Sequence, residues 1–311
     1  MFKSTQMIAI GLLVVSTAVW AHDPPDEIRN AVQFPAGAEP TIDGDCSDWE
    51  AVPGDQYWIT NADLYPAYGG HHHDEGAGKG DIDPSSFDVT WRLGWSATTN
   101  QLYYCNSIFD DRHVIDRADP TGWDWWHDDG CEYFYTTRHL SEQEVRDLGA
   151  ENINTYWGYN FALPRLPPPA TWWMVIGICA GCDWLDTGSE FYTLEYTFDG
   201  EEYGESTYHY EQQSLPLDHW VGGLEAEDKT PAMYVPATLS EGQTIHYTFF
   251  QWDDDALFED EGGSGKAWTN RSTDGGSWLG QGDLFLEPVN PGIAWPTAVE
   301  SNSWGRIKAQ F

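Results

Sequence analysis

Basic residues are scarce in this sequence, which has 14 Lys and Arg against 51 Asp and Glu and a formal net charge of −37 at pH 7. A chain with so large an excess of acid is repelled by phosphate backbones and by anionic lipid headgroups. The charge therefore excludes DNA, RNA and anionic membranes as natural partners and favours cations or neutral ligands. It does not identify any protein partner.

Long apolar runs are also few. One lies near the start, from Met7 to Val19, after the basic Lys3 and before the small residue Ala21. A membrane-spanning helix needs about 20 apolar residues, so this run is too short to be one, whereas its flanks are typical of a secretory signal peptide. We therefore predict that residues 1–21 are cleaved and that the mature chain begins near His22. Such a chain would be secreted, periplasmic or held at the cell surface.

Common catalytic signatures are missing. The sequence contains no G-x-S-x-G, H-E-x-x-H or P-loop pattern, each of which would place a nucleophile, a metal ion or a phosphate. The many Asp and Glu residues leave a glycoside hydrolase open as an alternative, but no carboxylate pair can be located among them. The missing motifs favour a protein without catalytic activity.

The five cysteines all lie after residue 21. In an oxidising compartment, two disulfides and one thiol are the simplest arrangement. Cys179 and Cys182 form a single C-x-x-C pair, which has no second pair to complete a zinc site. The residue after it is Asp183 and not the His of a haem attachment motif. A disulfide role is therefore favoured for this pair.

Apolar and aromatic residues are plentiful, at 41% and 15% of the chain. That content is enough for a large core and argues against disorder despite the charge. Residues 22–311 show no internal repeat and no break in composition, and a single all-β domain often reaches about 200–250 residues. We therefore predict one domain over residues 22–311.

Alternation of apolar and polar residues predicts that this domain is all-β. From Phe87 to Trp95 every second residue is apolar and all but one are large, which is typical of a strand with one buried face. The strands predicted in this way are Phe87–Trp95, Leu102–Phe109, the stretch after Gly130, Phe191–Phe198, Thr207–Gln212, Thr244–Trp252, Gly282–Leu286 and a closing strand at Trp304–Phe311. One short helix is predicted over Pro24–Ala31, and another from the capping box of Ser141 and Glu144.

The most distinctive stretch runs from Trp123 to Tyr135 and reads WDWWHDDGCEYFY. Its Asp-Asp-Gly segment suits a tight turn, because Asp bonds its own backbone and Gly tolerates positive φ. After the turn, Cys131, Tyr133 and Tyr135 should point to one face of a strand and the residues between them to the other. An aromatic loop and an acidic turn are thereby predicted to lie together at the end of a sheet.

Six motifs, taken in order, resemble those of family 9 carbohydrate-binding modules. They are Thr41-Ile42-Asp43-Gly44 with Asp48-Trp49; Gln101-Leu102-Tyr103-Tyr104 leading to Asp110-Asp111; Asp128-Asp129 with Glu132 and Phe134; Tyr210-Glu211 with Leu215-Pro216; Gly242-Gln243-Thr244-Ile245 running to Trp252-Asp253-Asp254; and Trp278 with Gly282-Asp283-Leu284-Phe285-Leu286. The motifs extend over nearly all of the mature chain. The sequence departs from the family in a His-rich loop and in an insertion between Arg138 and Glu190.

The resemblance implies an antiparallel β-sandwich of jelly-roll type with long loops, bound calcium and a sugar site walled by tryptophans. It also makes the strands of Cys105 and Cys131 neighbours, so these two cysteines are expected to form a disulfide. The implied function is non-catalytic binding of poly- or oligosaccharide. Related sandwich domains bind haem and carry electrons, which keeps that function as an alternative with Met174 and Met233 as the candidate axial ligands.

Three clusters of acidic residues adjoin predicted strand ends and are the candidate calcium ligands. They are Asp110 and Asp111; Asp128, Asp129 and Glu132; and Asp253, Asp254 and Asp255. Calcium takes 6–8 oxygen ligands, which loop carboxylates supply well. A solvated acidic surface explains any single cluster equally well, but three such clusters favour at least one bound cation.

The tryptophans of two loops are the candidate sugar ligands. A sugar ring presents an apolar C–H face on which an indole stacks, and a polar rim that side chains can hydrogen-bond. We place a tryptophan platform on Trp123, Trp125 and Trp126, with Trp172 or Trp173 as the opposing wall. The alternative is that these rings close the ends of the sandwich. Trp91 and Trp95, which alternate along a strand, are expected in the core.

Histidines provide two weaker metal hypotheses. His71, His72 and His73 could bind a transition metal, although a polar, glycine-flanked loop without that role is the favoured interpretation. A mature N-terminal His22 could chelate copper through its amine and its ring, as in oxidative polysaccharide-cleaving enzymes, but nothing else in the sequence resembles those enzymes.

Overall fold

The structure of the protein, a computed structural model, describes residues 28–68, 72–73, 78–114, 129–141, 143–144, 147–148, 158–162, 190–201, 203–221, 230–253, 265–268 and 282–295. The predicted signal peptide over residues 1–21 and the predicted closing strand at Trp304–Phe311 lie outside these residues. In the part of the chain that is described, no helix has the length and apolar character needed to cross a membrane.

β-strands dominate the described residues. In chain order the first eight are β1 (Ile28–Gln33), β2 (Trp58–Thr60), β3 (Ala67–Tyr68), β4 (His72–His73), β5 (Phe87–Ser96), β6 (Gln101–Asp110), β7 (Gly130–Thr136) and β8 (Gly158–Ala162). The later strands are β9 (Tyr192–Gly200), β10 (Ser206–Ser214), β11 (Leu217–Trp220), β12 (Tyr234–Pro236), β13 (Thr244–Trp252), β14 (Gly265–Trp268) and β15 (Gly282–Leu286).

One curled sheet holds most of these strands, in the order β8-β7-β13-β15-β1-β5-β6-β10-β9, with β14 added to β13 and β2 to β5. Strand β1 joins the two halves, because its first residues pair with β15 and its last two with β5. Both pairings of β1 are parallel, whereas the other pairings along this order are antiparallel. The sheet is therefore mixed and not purely antiparallel as predicted.

The two halves of the sheet face each other as the layers of a β-sandwich. Strands β5 and β6 are not hydrogen-bonded to β7 or β13, yet their rings meet across the core. Trp91 lies 5.4 Å from Phe249 between ring centroids, and Tyr104 lies 4.8 Å from Tyr133. The two layers thus share one apolar cluster built from the inward side chains of both.

The strand predictions are largely confirmed. Strands β13 and β15 have the predicted bounds, and the other predicted strands among the described residues differ by one or two residues at an end. Trp91 and Trp95 are fully buried in the shared core, as expected from their alternation. Cys131, Tyr133 and Tyr135 also point into this core, which confirms the predicted facing of β7.

The predicted helix over Pro24–Ala31 is wrong over its described part, because residues 28–31 belong to β1. Ile28 to Ala31 pair with Asp283 to Leu286 of β15. Ala31 and Val32 are both fully buried although they point to opposite faces. Residues 31–33 at the end of β1 are covered on both faces and so carry no alternation, and the pattern could not distinguish this strand from a short helix.

Helical structure is limited to short pieces among the described residues. Helix α1 covers Gly54–Tyr57, and three single 3-10 turns cover Ser47–Trp49, Asn61–Asp63 and Pro231–Met233. The predicted capping box is present, since the Ser141 amide and hydroxyl both donate to Glu144 Oε2, at 2.8 and 2.6 Å. The residues around Glu144 are helical where they are described.

The predicted disulfide between Cys105 and Cys131 is wrong. Cys105 is bonded to Cys46, with 5.8 Å between their Cα atoms. Cys105 points to the outer face of β6 and belongs to a second apolar cluster with Cys46 and Trp49. Cys131 is a buried thiol that points into the shared core. Because neighbouring residues of a strand face opposite ways, Tyr104 and not Cys105 meets the inward face of β7.

Candidate functional site

A buried acidic corner forms where three strands end. Asp110 ends β6, Asp129 immediately precedes β7, and Asp253 immediately follows β13. Gly130 pairs with Trp252 across β7 and β13, which brings the flanking Asp129 and Asp253 side by side. Together with His113 these residues are buried, and the three aspartates have no exposed surface. We call these four residues the acidic corner.

His113 lies between two of the carboxylates. Its Nδ1 is 3.4 Å from Asp110 Oδ2 and 3.3 Å from Asp129 Oδ2. Its ring packs against both Phe198 and Tyr208, with centroids 5.1 and 5.0 Å away. His113 was not predicted as a site residue from the sequence. The only signal available was its position three residues after Asp110, which is no recognised ligand spacing.

The corner also fixes the backbone on both sides of residues 115–128. The Asp129 amide donates to the Val114 carbonyl at 3.0 Å, and the Val114 amide donates to the Asp129 carboxylate. The Arg112 amide donates to Asp110 Oδ1 at 2.8 Å. The segment that contains Trp123, Trp125 and Trp126 therefore begins and ends at the acidic corner.

The charges of the acidic corner make its burial unfavourable. Burial alone would lower the pKa of His113, but the adjacent carboxylates of Asp110 and Asp129 raise this pKa to about 10. Burial raises the pKa of Asp129 well above its ordinary value, and the charges of Asp110 and Asp253 raise it further. His113 is thus a cation at neutral pH, and it supplies one positive charge for three buried carboxyl groups.

A divalent cation would fit this charge distribution. One oxygen or nitrogen from each of Asp110, His113 and Asp129 lies within 4.8 Å of the others. Asp110 and Asp129 would supply oxygen ligands to such an ion, and Asp253 lies beside Asp129. A cation there would oppose the burial penalty that raises the pKa of Asp129.

The structure places the other predicted metal ligands differently. Glu132 lies on the opposite face of β7 from Tyr133 and accepts a hydrogen bond from Trp252 Nε1. Asp111 is exposed and accepts a hydrogen bond from Ser86 Oγ at 3.1 Å. Asp128, Asp254 and Asp255 lie outside the described residues. Asp110, Asp129 and Asp253 are therefore the predicted ligands that the structure brings together.

A second polar cluster centres on Glu211 of β10, whose carboxylate accepts three hydrogen bonds. The amides of Asp43 and Gly44 donate to Oε2, each at 3.0 Å, and Trp49 Nε1 donates to Oε1 at 3.1 Å. Glu211 is buried, and burial raises its pKa to about 7 although the two backbone donors oppose the shift. This carboxylate fastens the segment before β2 to the outer face of the sheet.

Gly44 is required where that segment meets β9. Its φ is +81°, and a Cβ at this position would lie 2.6 Å from the backbone of Tyr196. Thr197 Oγ1 donates to the Gly44 carbonyl at 2.8 Å. The Asp43-Gly44 turn noted in the sequence is therefore a docking point on the sheet.

An open polar cleft of about 670 Å³ lies between β1, α1 and β2. Its walls include Tyr57, Trp58 and the ion pair of Arg29 with Asp63, whose atoms are 2.9 Å apart. The guanidinium of Arg92 lies 4.5 Å from the centroid of the Trp58 ring and covers one side of it. The cleft thus offers an aromatic wall beside hydrogen-bonding groups, which is the combination that sugar sites use.

The predicted sugar ligands Trp123, Trp125, Trp126, Trp172 and Trp173 lie outside the described residues. Their placement on a tryptophan platform stays a prediction.

No family model and no curated protein matches the chain. Similar solved structures include a family 9 carbohydrate-binding module from Caldicellulosiruptor kristjanssonii in complex with cellotriose. It is 13% identical with a TM-score of 0.47, and the alignment covers 87% of this chain and 98% of that one. A second structure, a family 9 module from the same organism in complex with glucose, is 12% identical with a TM-score of 0.47, covering 86% and 100%. These neighbours belong to the family that the six motifs resemble. At this similarity the comparison assigns neither a ligand nor site residues to the chain.

Proposed function

We propose that the protein is an exported, non-catalytic carbohydrate-binding module that is stabilised by calcium and stacks poly- or oligosaccharide on tryptophans. The main support for this proposal is the arrangement of the six motifs in the fold. They were recognised in the sequence by their order, and in the structure hydrogen bonds and a shared cluster of carboxylates connect them. Motifs that matched by chance would be scattered over the fold.

Two of the joins are made by buried carboxylates. The first motif, Asp43-Gly44 with Trp49, is hydrogen-bonded to Glu211 of the fourth. The second, third and fifth motifs supply Asp110, Asp129 and Asp253 of the acidic corner. An ionised carboxylate is costly to bury, so carboxylates in such positions need partners that offset this cost.

The remaining joins tie the fifth motif to the third and the sixth. Glu132 accepts the indole hydrogen bond of Trp252. The Gly242 amide donates to the Leu286 carbonyl, and the Leu286 amide donates to the Gln243 carbonyl, both at 2.8 Å. Strand β10, which carries Glu211, pairs with β6, which ends in the Asp110 of the second motif, and this pairing connects the two sets, the first and fourth motifs and the other four.

The tryptophan platform gives the first prediction. Trp123→Ala and Trp125→Ala should each weaken glycan binding by more than about 1 kcal/mol, because stacked aromatic residues are typical binding hot spots. The free energy of unfolding should stay close to that of the parent. Isothermal titration with a glycan that the parent binds measures the first quantity, and urea unfolding measures the second.

Trp58→Ala is the matched comparison, because Trp58 is a described tryptophan in the polar cleft. If the Trp58 variant loses affinity while the Trp123 and Trp125 variants keep it, the sugar site is the cleft and the platform assignment is wrong. Loss of affinity in the platform variants alone supports the platform.

Calcium gives the second prediction. An ion that binds only the folded state adds RT ln(1 + [L]/Kd) to the free energy of unfolding, about 2.7 kcal/mol at a hundredfold excess over Kd. Calcium should therefore raise the melting temperature of chelator-treated protein. It should also strengthen glycan binding, because the acidic corner lies at both ends of residues 115–128. Differential scanning calorimetry and glycan titration, each with calcium or with chelator, measure the two effects.

Asp111→Asn is the control for this experiment, because Asp111 adjoins the corner in sequence but is exposed and bonded to Ser86. It should keep the calcium response, whereas Asp129→Asn and Asp253→Asn should lose it. A melting temperature that neither chelator nor calcium changes would show that His113 and protons alone neutralise the corner.

Export gives the third prediction, which concerns residues outside the described ones. The protein recovered from its source should begin near His22, as amino-terminal sequencing would determine. The Cys46–Cys105 disulfide supports export, since stable disulfides are rare in reducing compartments. A mature protein that retains Lys3 and is found in the cytoplasm would contradict it.

A further inference from the structure

A second cluster of metal-ligating side chains lies at the opposite end of β7 and β13 from the acidic corner. His246 of β13 and Asp283 of β15 are direct partners across an antiparallel pair, so their side chains share a face. His139, which follows β7, reaches the same carboxylate. One ligand atom from each of the three residues lies within 4.8 Å of the others.

The hydrogen bonding of His246 fixes which ring nitrogen can act as a ligand. Its Nε2 lies 3.0 Å from the Leu140 carbonyl, which can only accept, so Nε2 carries a proton. In the neutral ring the lone pair is therefore on Nδ1, which lies 3.3 Å from Asp283 Oδ1. A ring nitrogen held in this way by a backbone carbonyl is the usual support of a metal-binding histidine.

The spacing of the donor atoms suits a small divalent ion. Tetrahedral bonds of about 2.0–2.1 Å place neighbouring ligand atoms about 3.3 Å apart. Asp283 Oδ1 lies 3.2 Å from His139 Nε2 and 3.3 Å from His246 Nδ1. In the neutral ring, the lone pair of His246 Nδ1 and the carboxylate face each other, which is repulsive unless a proton or a cation lies between them.

Two residues of the cluster, His246 and Asp283, are largely buried, whereas His139 is exposed and can change its side-chain conformation. The side chains of His246 and Asp283 are 4% and 12% exposed, whereas that of His139 is 42% exposed. The two imidazole rings are stacked with centroids 4.4 Å apart and an angle of 15°. Coordination requires the His139 ring to turn out of this stack, which its exposure permits.

We propose that His139, His246 and Asp283 form a transition-metal site, for which Zn²⁺ is the best-fitting ion. Two imidazoles and one carboxylate are typical of zinc and other first-row metals and do not suit calcium. Three protein ligands leave a fourth position for water. This site is independent of the proposed carbohydrate function and of the acidic corner.

Zinc binding by the full mature protein tests the proposal, with calcium in excess to saturate exposed carboxylates. The His71–His73 run could bind zinc by itself, so the background protein carries His71→Ala, His72→Ala and His73→Ala. This background protein should bind zinc. Adding His139→Ala or Asp283→Asn should weaken binding at least tenfold, because even loss of an outer-shell partner commonly costs 10–100-fold. Bound cobalt(II) should show visible absorption that these two changes abolish.

His219→Ala is the matched control. His219 Nδ1 lies 2.6 Å from Asp218 Oδ2, which makes a histidine–carboxylate pair outside the three-residue cluster. This variant should bind zinc as the background protein does. The proposal is overturned if the background protein binds no zinc, if His139→Ala and Asp283→Asn leave the affinity unchanged, or if His219→Ala weakens it equally. Circular dichroism verifies that each variant is folded, and the exposed His139 is the position least expected to disturb folding.

Discussion

Removing the Cys46–Cys105 disulfide should lower the free energy of unfolding by about 4 kcal/mol. The bond closes a loop with a sequence separation of 59 residues. In the chain-entropy model, a cross-link over a loop of this length restricts the unfolded chain by that amount. The double variant Cys46→Ala/Cys105→Ala should show this loss in urea unfolding under non-reducing conditions.

Two comparisons isolate the effect of this bond. Reductant should destabilise the parent by more than it destabilises the double variant, and the difference is the contribution of the Cys46–Cys105 bond. Cys131→Ala, which changes a buried thiol outside this bond, should respond to reductant as the parent does. Mass mapping of unreduced protein should recover Cys46 and Cys105 in one linked peptide. Recovery of Cys105 linked to Cys131 would contradict the structure.

Glu211→Gln should destabilise the protein by about 1–3 kcal/mol at pH 5. The three groups that surround this carboxylate are all donors: the amides of Asp43 and Gly44 and the indole of Trp49. In either orientation the new amide nitrogen faces a donor, and a buried polar group left unsatisfied costs about 1–3 kcal/mol. Urea unfolding of the two proteins measures the difference.

Trp49→Phe provides a double-mutant cycle for this cluster, because it removes the indole donor. When phenylalanine replaces Trp49, the amide nitrogen introduced by Glu211→Gln can point toward the phenyl ring, where it no longer meets a donor. The double variant should therefore be more stable than the sum of the two single changes predicts. Strict additivity would show that Trp49 and Glu211 do not interact.

The effect of Glu211→Gln should also depend on pH. The pKa of Glu211 is raised by burial from 4.5 to about 7 in the folded protein, so the folded state binds a proton more tightly than the unfolded state. Protonation of Glu211 therefore stabilises the folded state, and this stabilisation is fully present below about pH 4.5 and is lost as the pH rises to about 7. The advantage of the parent over the variant should therefore shrink over this range, by at most about 3 kcal/mol. An advantage that grows with pH would contradict the raised pKa.

Sequence patterns predicted the parts of the fold in which one face of a strand is buried. Strand β5 is an example, because its alternation both defines the strand and places Trp91 and Trp95 in the core. Strand β1 was missed because its last three residues are covered on both faces and because it pairs with β15 and β5 in turn. Its structure depends on partners more than 60 residues away in the sequence, which a local pattern cannot contain.

The sequence predicted that the candidate site is acidic, but it did not predict correctly which residues form it. Asp110, Asp129 and Asp253 were recognisable as acidic residues at strand ends, and the sandwich brings those ends together. Glu132 is on β7 just after the corner, but its side chain lies on the opposite face of the strand from those of Cys131 and Tyr133. Successive residues of a strand alternate between faces, so a shift of one residue decides on which face a side chain lies. His113 is held at the corner by backbone hydrogen bonds to Tyr203 and Gly204 beyond the end of β6, a long-range pairing that no sequence spacing indicated.

A polysaccharide pull-down and glycan array with the purified mature protein, run in calcium and in chelator, test the central claim most directly. The proposed function predicts that at least one poly- or oligosaccharide binds in calcium and that this binding weakens in chelator. If no glycan is bound in calcium by protein that is folded, the assignment as a carbohydrate-binding module is wrong.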